Sequence, residues 1–141
     1  MLMSTKAFDF QFMEHDHPLV SFKFYITDSQ PFLSCISCEF GSAEALVNEW
    51  EQIQNFVSVY YQPKSENERW NIYLLLICPD EVEVKDRYII QNDTYTARKI
   101  VIQKEPVPVD ISRSLSIVNN ELLGLDLKYN FRDSADRKSV V

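Results

Sequence analysis

Ile72-Tyr73-Leu74-Leu75-Leu76-Ile77-Cys78 is the longest uncharged apolar run of the chain. It is too short for a helix of ordinary length and almost free of polar breaks, which is the pattern of a strand at the centre of a sheet, covered on both faces. Pro79-Asp80 stops it, and the polar stretch Lys64 to Arg69 before it reads as an exposed loop. A central strand of this kind requires partners on both sides, and the flanking sequence supplies them.

On the N-terminal side, Leu19 to Thr27 mixes aromatic and β-branched residues with polar ones and reads as a strand. Phe32 to Phe40 reads as a second, ended by Gly41. Ser42 then stands at an N-cap position before Leu46, Trp50 and Ile53, whose spacing predicts a helix from about Ala43 to Gln54. Phe56 to Tyr61, closed by Pro63, reads as a further strand by composition. On the C-terminal side, Asp80 and Glu83 have the spacing of a capping box and predict a helix from about Glu81 through Gln91, although Val82 and Val84 alternate equally well on a strand. Asn92-Asp93-Thr94 is a turn, and Arg98 to Ile102 a short strand. Ile111, Leu115, Val118, Leu122 and Leu125 recur at helical spacing, with Asp110 or Ser112 to cap the start and Gly124 to end it. The expected fold is a single α+β domain over residues 1–125. Its sheet is mixed or antiparallel with about five strands, and about three helices pack on it, starting near Ala43, Glu81 and Ser112. Residues 126–141, mostly polar, read as a flexible or partner-ordered C-terminal tail.

Composition narrows the function classes. At 141 residues there is room for one sizeable core. A net charge of −7 is the wrong sign for neutralising a phosphate backbone, so direct nucleic-acid binding by the isolated chain is not expected. No apolar run approaches the roughly 20 residues of a membrane span, and the N-terminus lacks the features of a secretory signal. Three cysteines fit reduced thiols in a cytoplasm. With only two glycines, the glycine-rich phosphate loops are ruled out.

Several motifs are candidates for chemistry. His15, His17, Cys35 and Cys38 are zinc-ligand types, but Cys35 and Cys38 lie three apart in an expected strand and so point to opposite faces. A redox role for the same cysteines needs a helix N-terminus beside them, and the nearest helix start is Ser42. Pro79-Asp80 with Glu83-Val84-Lys85 spells a metal-dependent nuclease signature, yet two residues between the acids are too few to turn between strands. Arg98-Lys99 reads either as a phosphate or interface anchor or as two solvated cations at the start of a strand. The aromatics Phe56 to Tyr61 with Trp70 suit core packing better than base stacking in so acidic a chain. No cofactor and no catalytic residue is expected.

One stretch resembles a known family. Trp70 to Cys78, a spacer, then Gln91-Asn92-Asp93-Thr94-Tyr95-Thr96-Ala97-Arg98-Lys99-Ile100-Val101-Ile102 is similar to the middle component of ABC three-component, or Lamassu-type, anti-phage systems. That pattern has a Trp-led hydrophobic strand, an Asn/Asp-Asp-Thr turn and Cys-Arg-Lys-Ile-Val; Ala97 stands here in place of the cysteine. The resemblance implies a non-enzymatic adaptor subunit that links an SMC-like, DNA-sensing ATPase to an effector, commonly a nuclease. It assigns Asp93, Thr94, Arg98 and Lys99 structural or interface roles. Trp70 and, in the tail, Tyr129 and Phe131 join them as the candidate partner interface. Two alternatives remain open: a small metal-dependent hydrolase using His15, His17 and nearby acids, and a free-standing regulator that docks through its tail.

Overall fold

A computed structural model gives residues 2–27, 33–63 and 65–124, without the side chains of Asn67 and Trp70. Five strands form one mixed sheet in the order of the sequence: β1 (Met3–Thr5), β2 (Ser21–Thr27), β3 (Ser34–Glu39), β4 (Ile72–Ile77) and β5 (Arg98–Ile102). β1, β2 and β3 pair antiparallel, while β3, β4 and β5 run parallel. The expected α+β domain with a mixed, five-stranded sheet is what the structure has. β4, the apolar run, lies between two parallel neighbours and is buried at all but Tyr73, as a doubly covered strand must be.

Parallel neighbours need crossovers, and helices supply both. α2 (Ala43–Tyr60) connects β3 to β4, and α4 (Val84–Asn92) connects β4 to β5. Leu46, Trp50, Ile53 and Val57 of α2, with Ile90 of α4, join Phe22, Phe24, Ile36, Cys38, Leu74, Leu76 and Val101 in the larger core. On the other face α5 (Ile111–Leu123) presses Ile117 and Val118 onto Tyr25, Cys35, Leu75 and Ile77. The alternation of strand side chains thus sends β3 and β4 into two cores. A short α1 (Gln11–Asp16) contributes Met13 to the larger core, and α3 (Glu66–Trp70) precedes β4.

Among the described residues five helices stand where about three were expected, and three differences have identifiable causes. Phe56 to Tyr60 is not a strand but the last turn and a half of α2. The β-favouring composition is overridden because Val57 continues the buried stripe of Trp50 and Ile53, while Phe56 and Tyr60 stack on the helix surface at 5.8 Å. The expected loop Lys64–Arg69 contains α3, which Ser65 and Glu68 start with a capping box of their own. Asp80 does not cap α4: that helix begins later, at Val84, with Glu83 at its N-cap and no side-chain cap bond. The Asp80 carboxylate instead accepts the Ala43 amide at 3.0 Å, closing the start of α2. Ser42 and Asp110 cap α2 and α5 as expected, and Gly124 ends α5 in the left-handed region at φ 70°, where a side chain is disfavoured. The tail after Gly124 lies outside the described residues.

Candidate functional site

Lys99 organises the site. It is the second residue of β5 and points toward α2, its side chain fully enclosed. An ammonium carries three N–H donors and no acceptor, so burial is tolerable only if acceptors converge on it. They do: the Asp93 carboxylate at 3.0 Å, the Tyr95 carbonyl at 3.0 Å, the Ala97 carbonyl at 2.7 Å, and the Gln54 amide oxygen of α2. The Trp50 ring adds its face, with the ammonium 5.9 Å from the centroid. Desolvation pushes the Lys99 ammonium below its ordinary pKa, and Asp93 partly restores it. For Asp93 desolvation acts upward, but the Tyr95 amide and the Lys99 ammonium together hold the carboxyl below the usual carboxylate value.

The 93–97 turn is therefore folded around the ammonium. Asp93 Oδ1 also accepts the Tyr95 amide at 2.8 Å, and the Ala97 amide donates to the Tyr95 carbonyl. Thr96 is held at φ 64°, a left-handed conformation that a β-branched residue rarely adopts and that costs roughly 1–2 kcal/mol. Lys99 offsets that cost through two of the turn's own carbonyls.

Beside this turn runs a groove of about 820 Å³, at the amino end of β4 and β5 and the carboxyl end of α2. Thr94, Tyr95 and Arg98 of the turn and β5 line it together with Tyr61, Arg69 and Ile72. In open α/β sheets ligands more often sit beyond the carboxyl ends of the strands. Here that end is occupied by the chain itself. Lys104 donates its amide to the Asp80 carbonyl, and Glu105 donates its amide to Cys78. Glu39, buried at the end of β3, accepts the Val109 amide at 3.0 Å and the Lys23 ammonium at 3.3 Å.

Of the sequence-derived interface residues, Asp93, Thr94, Arg98 and Lys99 meet at this turn, with Lys99 inside and Thr94 and Arg98 at the groove. Trp70 ends α3 at the start of β4, its side chain outside the described part, and Tyr129 and Phe131 lie outside the described residues. Sequence reading missed Gln54 and Trp50, the partners that make the buried Lys99 tolerable, and the buried Glu39 that Lys23 and the Val109 amide satisfy; nothing but contact across the fold reveals them.

The zinc and hydrolase candidates do not converge. His15 is exposed beside Asp16, whereas His17 is buried against Glu49, Nδ1 to Oε1 at 2.6 Å, with its Nε2 enclosed and unpartnered. Cys35 and Cys38 fall in opposite cores, as their spacing on a strand requires. Burial pushes both thiols above their ordinary pKa. Among the described residues no group of three or more His, Cys, Asp or Glu is placed to hold a metal. The letters of the nuclease signature are scattered over the end of β4 and the start of α4 rather than over adjacent strands. No described helix is long and apolar enough to cross a membrane.

Residues 35–124 match the family described as ABC-three component (ABC-3C) system Middle Component 1. The chain belongs to that family. The matched span runs from β3 through α5 and takes in the Lys99 turn. No curated protein and no solved structure matches at a significant level. Middle Component 1 proteins are components of multi-protein systems, and a subunit of such a system has partner proteins to meet.

Proposed function

We propose that this Middle Component 1 protein is a non-catalytic, cytoplasmic adaptor of a Lamassu-type anti-phage complex. It links an SMC-like, DNA-sensing ATPase to an effector, commonly a nuclease, without touching nucleic acid or membrane itself. The observation that carries the reading is a pair of separate exposed apolar patches. On α4, Val84, Tyr88 and Ile89 are 70%, 68% and 58% exposed, and only Ile90 of that helix is buried. In the second patch, Phe12 of α1 stacks on Tyr60 of α2 at 5.0 Å with both rings exposed. α4 packs on β5, while the segment around α1 packs on β2 through Phe8 and Phe10. The two patches thus belong to different elements, one to α4 alone and the other to α1 and the end of α2. Clustered exposed aromatics are costly in an isolated monomer and mark interaction surfaces. An adaptor needs two.

Trp70, Tyr129, Phe131 and the 126–141 tail are proposed as additional partner contacts. The test is co-expression of the chain with the products of the genes beside it, followed by affinity capture. Wild type is expected to bring down both an ATPase and an effector. Val84→Asp with Tyr88→Asp is expected to lose one of them and Phe12→Ser with Tyr60→Asp the other, with unchanged melting temperatures. Capture of neither partner by the wild-type chain would reject the adaptor.

A further inference from the structure

We infer that the groove beside the Lys99 turn holds an acidic peptide segment of a protein partner, its carboxylates between Arg69 and Arg98. This rests on the reading of the chain as a protein-binding subunit and adds the chemistry of what it binds. The groove reverses the sign of the molecule: in a chain of net charge −7, the described residues that line it include two arginines and one acid, Glu66. Arginine presents planar paired donors that match a carboxylate, and such pairs are stronger than neutral hydrogen bonds. Arg69 is exposed at the end of α3, its Nε donating to the Pro63 carbonyl at a long 3.4 Å, and Arg98 is exposed at the first position of β5.

The groove also has apolar lining: Tyr95 is 61% exposed, and Ile72 and Ala97, nearly buried, lie beneath. The volume of about 820 Å³ is within the roughly 300–1,000 Å³ of binding clefts, so a short run of residues fits. Thr94 and Thr96, presented by the turn that Lys99 fixes, add hydroxyls. The rare left-handed Thr96 shows that this wall is held in one shape rather than left to relax. Preorganisation of that kind lowers the ordering cost of taking up a peptide.

A nucleic acid also carries negative charge, but its binding rests on neutralising several phosphates, and two arginines on so acidic a chain give little of that. A peptide that pairs carboxylates with apolar side chains uses both the arginines and the exposed Tyr95 ring.

The experiment is fluorescence anisotropy on the full 141-residue chain. Three probes are used: a blocked peptide of alternating Asp and Leu, the same peptide with Lys for Asp, and a single-stranded oligonucleotide of equal length. The Asp peptide is expected to bind, more weakly as ionic strength rises, and the Lys peptide is not. Arg69→Glu with Arg98→Glu is expected to weaken the Asp peptide by about tenfold or more. Arg69→Lys with Arg98→Lys is expected to weaken it less than charge reversal does, since lysine keeps the charge and loses the paired donors. Amide shifts are expected at 94–98. The inference falls if the two peptides bind alike, if the oligonucleotide binds more tightly than the Asp peptide, if the charge-reversed protein binds unchanged, or if millimolar Asp peptide moves no amide of the groove. If charge reversal abolishes peptide binding but both partners still co-purify as with wild type, the groove does not hold a segment of either partner and the inference falls, while the adaptor reading stands. Peptide binding by a wild-type chain that captures no partner sinks the adaptor and leaves the groove.

Discussion

At the β2 edge of the larger core the sheet is covered by rings, Phe8, Phe10, Phe22 and Phe24 lying 4.9 to 5.5 Å apart between centroids. At the β5 edge it is joined to α2 through a buried ammonium. The first arrangement is non-directional: rings fill volume, and several packings of similar size would serve. The second is directional, because Lys99 has a fixed number of donors and the acceptors around it come from one turn and one helix. The matched family span begins at residue 35, so it includes the directional arrangement and leaves out β1, α1 and β2. Apolar mass provides stability; the ammonium specifies the shape of one surface.

Mutations separate these two contributions. Phe24→Ala is expected to cost about 3–5 kcal/mol in denaturant unfolding, since the ring packs against Phe8 and Tyr61 and is 5% exposed. The 94–98 amide shifts of the folded fraction are expected to stay as in wild type. A loss below about 1 kcal/mol would show that the rings are replaceable surface cover. Lys99→Met is expected to cost about 2–3 kcal/mol, less than the ring, because methionine keeps the apolar stem while Asp93, Gln54 and two carbonyls lose their donor. Its signature is local: the turn resonances shift and Thr96 leaves the left-handed region. Unchanged turn resonances would mean that the loop supports itself.

Asp93→Asn is the smallest of the three, about 1 kcal/mol at neutral pH, and it carries a pH signature. The Asp93 carboxyl lies lower in the folded state than in the unfolded one, despite desolvation. The unfolded chain therefore takes up its proton first on acidification. The contribution is complete above about pH 4 and is lost as pH falls through the folded-state value. The difference in stability between wild type and Asp93→Asn is expected to shrink over that acidic window. A difference that stays constant into acid would mean that the ion pair contributes nothing to it.

Periodicity made most of the fold legible in the sequence. β4 was readable from its unbroken apolar run, α2 and α5 from their stripes and caps, and the opposite facing of Cys35 and Cys38 from the pleat. Failures came where two signals competed. Phe56 to Tyr60 has strand composition but helical spacing, and the spacing prevailed because Val57 is needed in the core. Asp80 has the residue type of a cap and serves as one, for α2 rather than α4, a choice made by tertiary proximity. The Ser65–Glu68 capping box was present in the letters and passed over inside a polar stretch. The three residues of β1 carry no pattern at all. At the site, the Asp-Thr turn and Arg-Lys pair were visible as residues of interest, but not that the lysine is the buried hub and the arginine the outward member. Only the contact with Gln54 and Trp50 distinguishes them.

The three native thiols give the molecule a practical property. Cys35, Cys38 and Cys78 are fully enclosed, and burial raises the pKa of each, so the folded chain shows almost no nucleophilic sulfur to solvent. A cysteine installed at Val84 or at Phe12 would then be the sole reactive handle. Photocrosslinkers or dyes can be attached to either patch without first stripping the interior of its own sulfur.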